Sequence, residues 1–344
     1  MNVLVTGHDG YIGSVMSGVL SAAGHSVTGL DAFLYEGCDF GPNPPPIPFI
    51  NKDVRDVVAD DLRGFDAVIH LAALSNDPLG CLDESCTYEI NHLGSVSLAR
   101  AAKAAGVPRF LFASSCSLYG AAGDDMLDET AAFNPITAYG ASKVLVEQDV
   151  AKLADDSFSP TYLRNATAYG ASPRLRADIV VNNLVGIAYT TGEVLIQSDG
   201  TPWRPLVHIR DISRAFLAVL EAPREAVHNQ AFNVGSSQEN YRISDVASIV
   251  QKVVPGCSVR YAEGGGPDPR CYRVTCDKLS AHIPGFKLDW TVQRGAEELY
   301  TSYVQNGLTK DMFSRYVRLN KIQALMKDGQ LDSDLRWRRS TVAV

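Results

Sequence analysis

Short, continuously apolar runs alternate with stretches of helical period over the first two-thirds of the chain. Asn2–Thr6, Ser26–Asp31, Ala67–Leu71, Arg109–Ser114 and Thr161–Asn165 read as strands, and runs without polar alternation belong to strands covered on both faces. Between them, Tyr11–Ala23 places Ile12, Val15, Met16, Val19 and Leu20 at helical spacing, and Thr87–Ala105 and Tyr139–Leu153 repeat that period. Pro48–Asn51 predicts a short further strand. The proline-rich Gly41–Pro48 before it cannot hold a helix and predicts a surface loop. Strands alternating with crossover helices predict an α/β fold with a doubly wound parallel sheet. After Tyr169 the elements shorten. Ile179–Thr190, Val194–Gln197 and Ser244–Val254 predict a smaller second region, and the polar Leu308–Arg339 predicts a helical tail with no visible chemistry.

Composition narrows the class. At 344 residues, with 46% hydrophobic and 20% charged positions, the chain is long enough for two domains and needs no disulfide or metal staple. The 31 Lys and Arg against 39 Asp and Glu leave a formal charge of −8, which argues against a general binder of nucleic acid or anionic membrane but allows a local phosphate pocket. Seven scattered cysteines, never spaced C-x-x-C, predict a reduced cytoplasmic protein without a disulfide framework or metal site. The N-terminus has no basic region, so no signal peptide is expected, and no stretch reaches the roughly 18 apolar residues of a membrane span.

Two local patterns carry chemistry. Thr6-Gly7-His8-Asp9-Gly10-Tyr11-Ile12-Gly13 joins the first strand to the first helix with the spacing G-x-x-G-x-x-G, one residue wider than the commonest form. Glycine at these places allows a tight turn, close approach of a pyrophosphate and close helix–strand packing, so that the helix N-terminus faces an anion. Glycine triplets also occur in plain turns. Here a strand precedes, a helix follows, and Asp31 ends the second strand, where a carboxylate accepts from ribose hydroxyls and repels a 2′-phosphate. Gly7, Gly10, Tyr11, Ile12, Gly13 and Asp31 are therefore the expected NAD site of a Rossmann unit. The second pattern is Tyr139 and Lys143, one helical turn apart, downstream of a strand that ends in Ser114-Ser115. A free tyrosine ionises near pH ~10, so a phenol acting as base at neutral pH needs a neighbouring ammonium and a positively charged nicotinamide. A small hydroxyl at the strand end would hydrogen-bond the reacting oxygen and hold a substrate in line.

With these motifs in view, the chain resembles an extended short-chain dehydrogenase/reductase of the NAD-dependent nucleotide-sugar epimerase/dehydratase family. The resemblance also rests on Asp53-Val54-Arg55-Asp56, His70-Leu71-Ala72-Ala73, Asn91, Ser114-Ser115-Cys116-Ser117-Leu118-Tyr119-Gly120, Leu163-Arg164, Asn182-Asn183-Leu184 and Arg204-Pro205-Leu206-Val207-His208, in order over residues 1 to about 300. It implies Ser115, Tyr139 and Lys143 as the catalytic triad. It further implies Asp53 and Val54 at the adenine, Leu71, Ala72, Ala73 and Asn91 beside the dinucleotide, and Ser115, Cys116 and Ser117 at the sugar. Asn182 or Asn183, Arg204 and Arg270 would grip the substrate diphosphate, since arginine offers a planar fork to phosphate oxygens. His208 reads as a strand-packing histidine, and the family's Asn-x-Tyr-Gly is replaced by Thr167-Ala168-Tyr169-Gly170. The implied division is a Rossmann domain over 1–168 with a strand and helix returning at about 204–234, a mainly substrate-binding region over 169–305, and a tail over 306–344. A homodimer through Thr87–Ala105 and Tyr139–Leu153 is also implied.

The family's reactions share oxidation at the sugar C4 and then diverge. Family dehydratases place an Asp-Glu pair after the Ser/Thr, and decarboxylases a Glu; this chain has Cys116 and Ser117 there. Cys116 is either a proton donor or a small apolar packer. Epimerisation at C4 is the expected reaction. A 4-ketoreductase or dehydrogenase with net cofactor turnover stands as the alternative, followed by a 4,6-dehydratase or a non-catalytic dinucleotide-binding protein. Ser75-Asn76-Asp77-Pro78 and Ser172–Asp178 are candidate sugar-side loops, although turn capping by Asn, Asp and Pro explains them equally well.

Overall fold

A computed structural model of the chain describes residues 1–75, 83–263, 266 and 270–338. Seven strands form the central sheet: β1 (Asn2–Thr6), β2 (Ser26–Asp31), β3 (Phe49–Asn51), β4 (Ala67–His70), β5 (Arg109–Ser115), β6 (Ser159–Asn165) and β7 (Gln230–Val234). All neighbours pair in parallel, in the order β7-β6-β5-β4-β1-β2-β3. Alternate side chains enter two cores. Leu4, Leu30, Val68, Phe110 and Phe112 meet the helices 84–104 and Ala138–Ala151, whereas Val3, Val5, Ile69, Leu111 and Leu163 meet Gly13–Ala22 and Ile209–Glu221. Coverage of both faces is why the strands lack polar alternation, and it makes this a doubly wound Rossmann-type sheet.

The order of strands and helices in the first 165 residues follows the sequence expectation; the differences lie at element ends, in one helix and in one added strand. The first helix begins at Gly13, not Tyr11, because Gly10–Ile12 form the turn that holds the glycine cradle. The predicted helix Thr87–Ala105 starts at Glu84, where the Asp83 side chain caps it, and carries a π-helical turn over Glu89–Gly94. An unpredicted strand, Ala121–Leu127, pairs in parallel with Cys271–Val274.

A third core builds the second region from Val181, Leu184, Val194, Leu206, Val246, Val250, Ala296 and Tyr303. Phe40, from the loop after β2, joins that core. Within residues 204–234 the helix Ile209–Glu221 and β7 return to the central sheet, whereas the strand Trp203–His208 pairs with Thr167–Tyr169 and Asn240–Arg242 in a separate three-stranded sheet. The tail is not the featureless polar helix expected. Two short helices, Lys310–Arg315 and Arg318–Lys327, are followed by a Leu331–Trp337 bridge. Ile322, Leu325, Leu331 and Leu335 are buried in the same core as β4 and β5. Among the described residues no helix is long and apolar enough to cross a membrane, and six cysteines are free.

Candidate active site

A cavity of about 550 Å³ runs along the carboxyl edge of the sheet. Its wall follows the strand order: Lys52–Arg55 after β3, Leu30–Ala32 at the end of β2, the glycine turn after β1, Leu71–Ser75 after β4, Ala113–Ser115 with Ser117 at β5, and Asn165–Ala168 after β6. The sequence of strands reverses between β1 and β4, the switch point at which open α/β sheets bind ligands. Asn183, Leu195–Ser198, Arg204, Arg270 and Tyr272 of the second region complete the wall.

The glycine turn is a cradle that a side chain would fill. Gly7 adopts φ +73°, and a Cβ on it would lie 2.9 Å from the Ala72 nitrogen. A Cβ on Gly13 would strike the Gly7 carbonyl and come within 2.6 Å of the His8 Cα. The Gly10 N–H donates to the Gly7 oxygen at 3.0 Å and closes the turn. Beside it, Asp31 accepts from the Asp9 N–H at 3.0 Å and the Phe33 N–H at 2.9 Å. Burial raises its carboxyl, and the Phe33 N–H, His8 and the Asp9 N–H partly counter this. Burial also acts on Asp53, but the Arg55 guanidinium, bonded to it at 2.6 and 3.0 Å, outweighs that and holds its carboxyl below the usual range. These features fit a dinucleotide: a cradle stripped of Cβ atoms, a helix start and a carboxylate beyond it.

Asn91 does not line the cavity. Its amide is fully buried, accepts from the Leu74 N–H at 2.8 Å and donates to the Leu74 oxygen at 3.0 Å, so it fixes the Leu71–Ser75 segment from behind. The π turn presents it. Ser95 Oγ donates to the Asn91 oxygen at 2.6 Å and contacts His70 Nε2 at 2.7 Å, and His70 Nδ1 contacts Thr6 Oγ1 at 2.6 Å. Burial, assisted by Lys143, pushes His70 down to about 3, so this bridge between β1, β4 and the π turn holds a neutral ring.

Tyr139, Lys143, Ser115 and Ser117 come together in the wall. Thr137 Oγ1 caps the helix Ala138–Ala151 by accepting from the Gly140 N–H at 3.1 Å, which puts Tyr139 in the first turn and Lys143 one turn on. Gly140 faces the Ser117 carbonyl, where a Cβ would lie 3.0 Å away, so glycine lets this helix approach the β5 end. Lys143 Nζ donates to the Ala113 oxygen at 2.8 Å and sits 5.5 Å from the Tyr139 ring centre. Burial lowers its pKa to about 7, with Glu147 offsetting part of the loss. Glu147 is pinned by Arg164 at 2.7 Å and by Ser114 Oγ at 2.5 Å. Ser115 Oγ accepts from the Ser117 N–H at 3.2 Å, and Ser117 Oγ is buried with no hydrogen-bond partner among the described residues.

Of the expected substrate residues, Asn183, Arg204 and Arg270 line the cavity. Arg204 donates to the Trp203 oxygen at 2.8 Å and to the Arg270 carbonyl. Asn182 stands behind the wall: its side chain accepts from the Gly170 N–H and donates to Tyr11 Oη, which positions the second region on the glycine turn. Cys116 is fully buried outside the wall; its thiol donates to the Arg164 oxygen at 3.1 Å, and burial raises its pKa. His208 packs as expected, stacked on Trp290 at 3.8 Å and bonded to Glu298 at 2.8 Å. In the loop Ser172–Asp178, Ser172 Oγ donates to the Tyr11 oxygen and Arg174 pairs with Asp9, so this segment also faces the glycine turn. Asn76, Asp77 and Pro78 lie outside the described residues. Sequence reasoning missed Tyr35, in the loop after β2, and Arg318 and Leu335, in the tail, all in the wall; the local signal of the last two is no more than an arginine and an apolar residue in a polar tail.

The model of the NAD-dependent epimerase/dehydratase family matches residues 3–235, and the chain belongs to that family. Among curated relatives, the UDP-glucose 4-epimerase of Corynebacterium glutamicum is 30% identical over 268 residues, covering 74% of this chain and 80% of its own. That of Lactobacillus helveticus is 31% identical, covering 78% and 87%. Among solved structures, MoeE5 in complex with UDP-glucuronic acid and NAD superposes with a TM-score of 0.78 at 26% identity, covering 90% of this chain and all of its own. The UDP-glucose 4-epimerase of Thermus thermophilus, in complex with NAD, gives 0.75 at 25%, covering 88% and 99%. The protein is an NAD-dependent enzyme of the epimerase and oxidoreductase type.

Proposed function

We propose that the chain is a nucleotide-sugar 4-epimerase that works through a transient 4-keto sugar. The carrying observation is a phenol, an ammonium and two hydroxyls in one wall without the paired carboxyl acid and base that an elimination of water needs. The carboxylates in the described wall are Asp31, Asp53 and Asp178. The first two end β2 and follow β3, away from β5 in the sheet, and Arg176 holds the third at 3.0 and 3.1 Å. Cys116, the other candidate for a proton donor, is outside the wall.

In this reading the Tyr139 phenolate takes the C4 hydroxyl proton and later returns it on the other face. Lys143 supports the phenolate by charge. Ser115 Oγ already accepts one N–H and keeps its own hydrogen for the sugar oxygen. Arg204 and Arg270 supply donors to the diphosphate, leaving the sugar free to turn. Gly7, Gly10 and Gly13 with Asp31 and Asp53 hold the cofactor, and Leu71–Ala73 line it. When bound, the nicotinamide stores a hydride reversibly. A panel of UDP-, dTDP-, GDP- and CDP-sugars, read by NMR, tests the proposal. Conversion to the C4 epimer without net NADH formation is expected, with UDP-sugars tried first because the named relatives act on UDP-glucose. A 4-keto-6-deoxy product, or stoichiometric NADH consumption, contradicts it.

A further inference from the structure

We propose that the C-terminal segment Tyr316–Trp337 is a strap over the cofactor half of the cavity, with Arg318 binding the diphosphate of the bound dinucleotide. The inference rests on the dinucleotide lying along the glycine turn, as read above. The strap is tied at both ends. At one end, the Tyr316 hydroxyl donates to the Asp39 oxygen at 2.9 Å, and the Ala177 N–H donates to the Tyr316 oxygen at 3.0 Å. At the other, Trp337 Nε1 donates to the Ala32 oxygen at 2.5 Å, Arg336 pairs with Asp56 at 2.6 Å, and Arg55 donates to the Asp334 oxygen at 2.8 Å. The second set of ties reaches the β2 end and the turn after β3. There Leu335, held at φ +55°, enters the cavity wall beside Val54.

Arg318 sits in the wall at 3% exposure, its guanidinium 3.9 Å from the Tyr35 ring centre. Nη2 donates to the Arg174 oxygen at 3.3 Å, and Arg174 itself pairs with Asp9 of the glycine turn at 2.6 Å. Nη1 is buried with no hydrogen-bond partner among the described residues. The neighbouring arginines are matched: Arg174 has Asp9 and Asp39, and Arg176 has both oxygens of Asp178. Arg318 has no ion pair among the described residues. A buried guanidinium with no ion pair and one unbonded nitrogen among the described residues is costly until an anion reaches it. A guanidinium in the wall of the cavity that the glycine turn also lines fits a diphosphate oxygen. The diphosphate of a nucleotide sugar has the same chemistry; the tie through Arg174 to Asp9 favours the dinucleotide.

The test is calorimetric titration of the full, nucleotide-stripped protein with ADP-ribose, adenosine and UDP. Arg318→Gln should weaken ADP-ribose on the order of ten- to hundredfold while leaving adenosine and UDP unchanged, as expected for one charge-assisted contact; Arg318→Lys should restore part of the loss. The ligand-free melting temperature of Arg318→Gln should not fall, because a buried charge is removed. Arg336→Ala, at the exposed end, should release bound NAD about two- to fivefold faster. Unchanged ADP-ribose affinity overturns the proposal. Loss confined to UDP assigns Arg318 to the sugar nucleotide and overturns it too, and equal losses of ADP-ribose and adenosine reduce Arg318 to a structural part. Wild-type protein that binds no ADP-ribose defeats the underlying placement of the cofactor and the proposal together.

Discussion

Burial pushes Lys143 down to about 7, so at neutral pH this ammonium is only partly retained in the ligand-free protein. The sign follows from linkage: between about 7 and the unfolded value near 10.4 the folded chain binds fewer protons than the unfolded one, and stability rises with pH. The destabilising charge is fully felt below about 7 and vanishes near pH ~10.4. Lys143→Met should therefore melt above the wild type at pH 6.5, with the gap closing by pH ~10; melting curves that stay parallel across that window would contradict the burial of this amine. Tyr139→Phe removes only the phenolic oxygen. Turnover should fall by about 10²–10⁴ with bound NAD retained, as measured by steady-state rates and by nucleotide released on denaturation. Glu147→Ala leaves the buried Arg164 guanidinium without its carboxylate and should cost about 3–5 kcal/mol in denaturant unfolding; a cost under about 1 kcal/mol would mean that the pair is hydrated.

At the scale of elements, two glycines of one helix give opposite outcomes. Gly13 packs against the Gly7 carbonyl, whereas a Cβ on the exposed Gly18 meets nothing within 4 Å. Gly18→Ala should stabilise the protein by about 0.5–1 kcal/mol through helix propensity, and Gly13→Ala should lose both stability and NAD. Equal effects of the two would contradict the cradle. Strands and crossover helices were legible because burial on both faces leaves uninterrupted apolar runs such as Val3–Val5 and Phe110–Phe112. The glycine turn, Asp31, Tyr139 and Lys143 were legible because their spacing is local. The π turn was not: the period of Thr87–Ala105 is unbroken, and the turn exists to bring Asn91 to Leu74 and Ser95 to His70, contacts set by β4 and not by the helix. Ala121–Leu127 was missed for the same reason, since Gly123 and two aspartates disfavour a strand that only pairing with Cys271–Val274 rescues.

Over the whole molecule, the tail carries the widest gap between sequence and structure. Ile322, Leu325, Leu331 and Leu335 are too thinly spread among charges to announce a core face, yet they bury themselves beside β4 and β5 and bring Arg318 into the cavity wall. Fold-back over nearly the full chain length leaves no local signature. The dimer suggested by family resemblance is an assembly-scale proposal: on the helix pair 84–104 and Ala138–Ala151, Leu93 is 58% exposed. Sedimentation should report a dimer and Leu93→Asp a monomer; a monomeric wild type removes the proposal. The reaction itself is decided by where the C4 hydrogen goes. A nucleotide hexose deuterated at C4, once found to be a substrate, should yield its C4 epimer with the deuterium still on C4 and none in the solvent. Deuterium lost to water, or moved to C6 of a 4-keto-6-deoxy sugar, would contradict a closed oxidation and reduction at Tyr139.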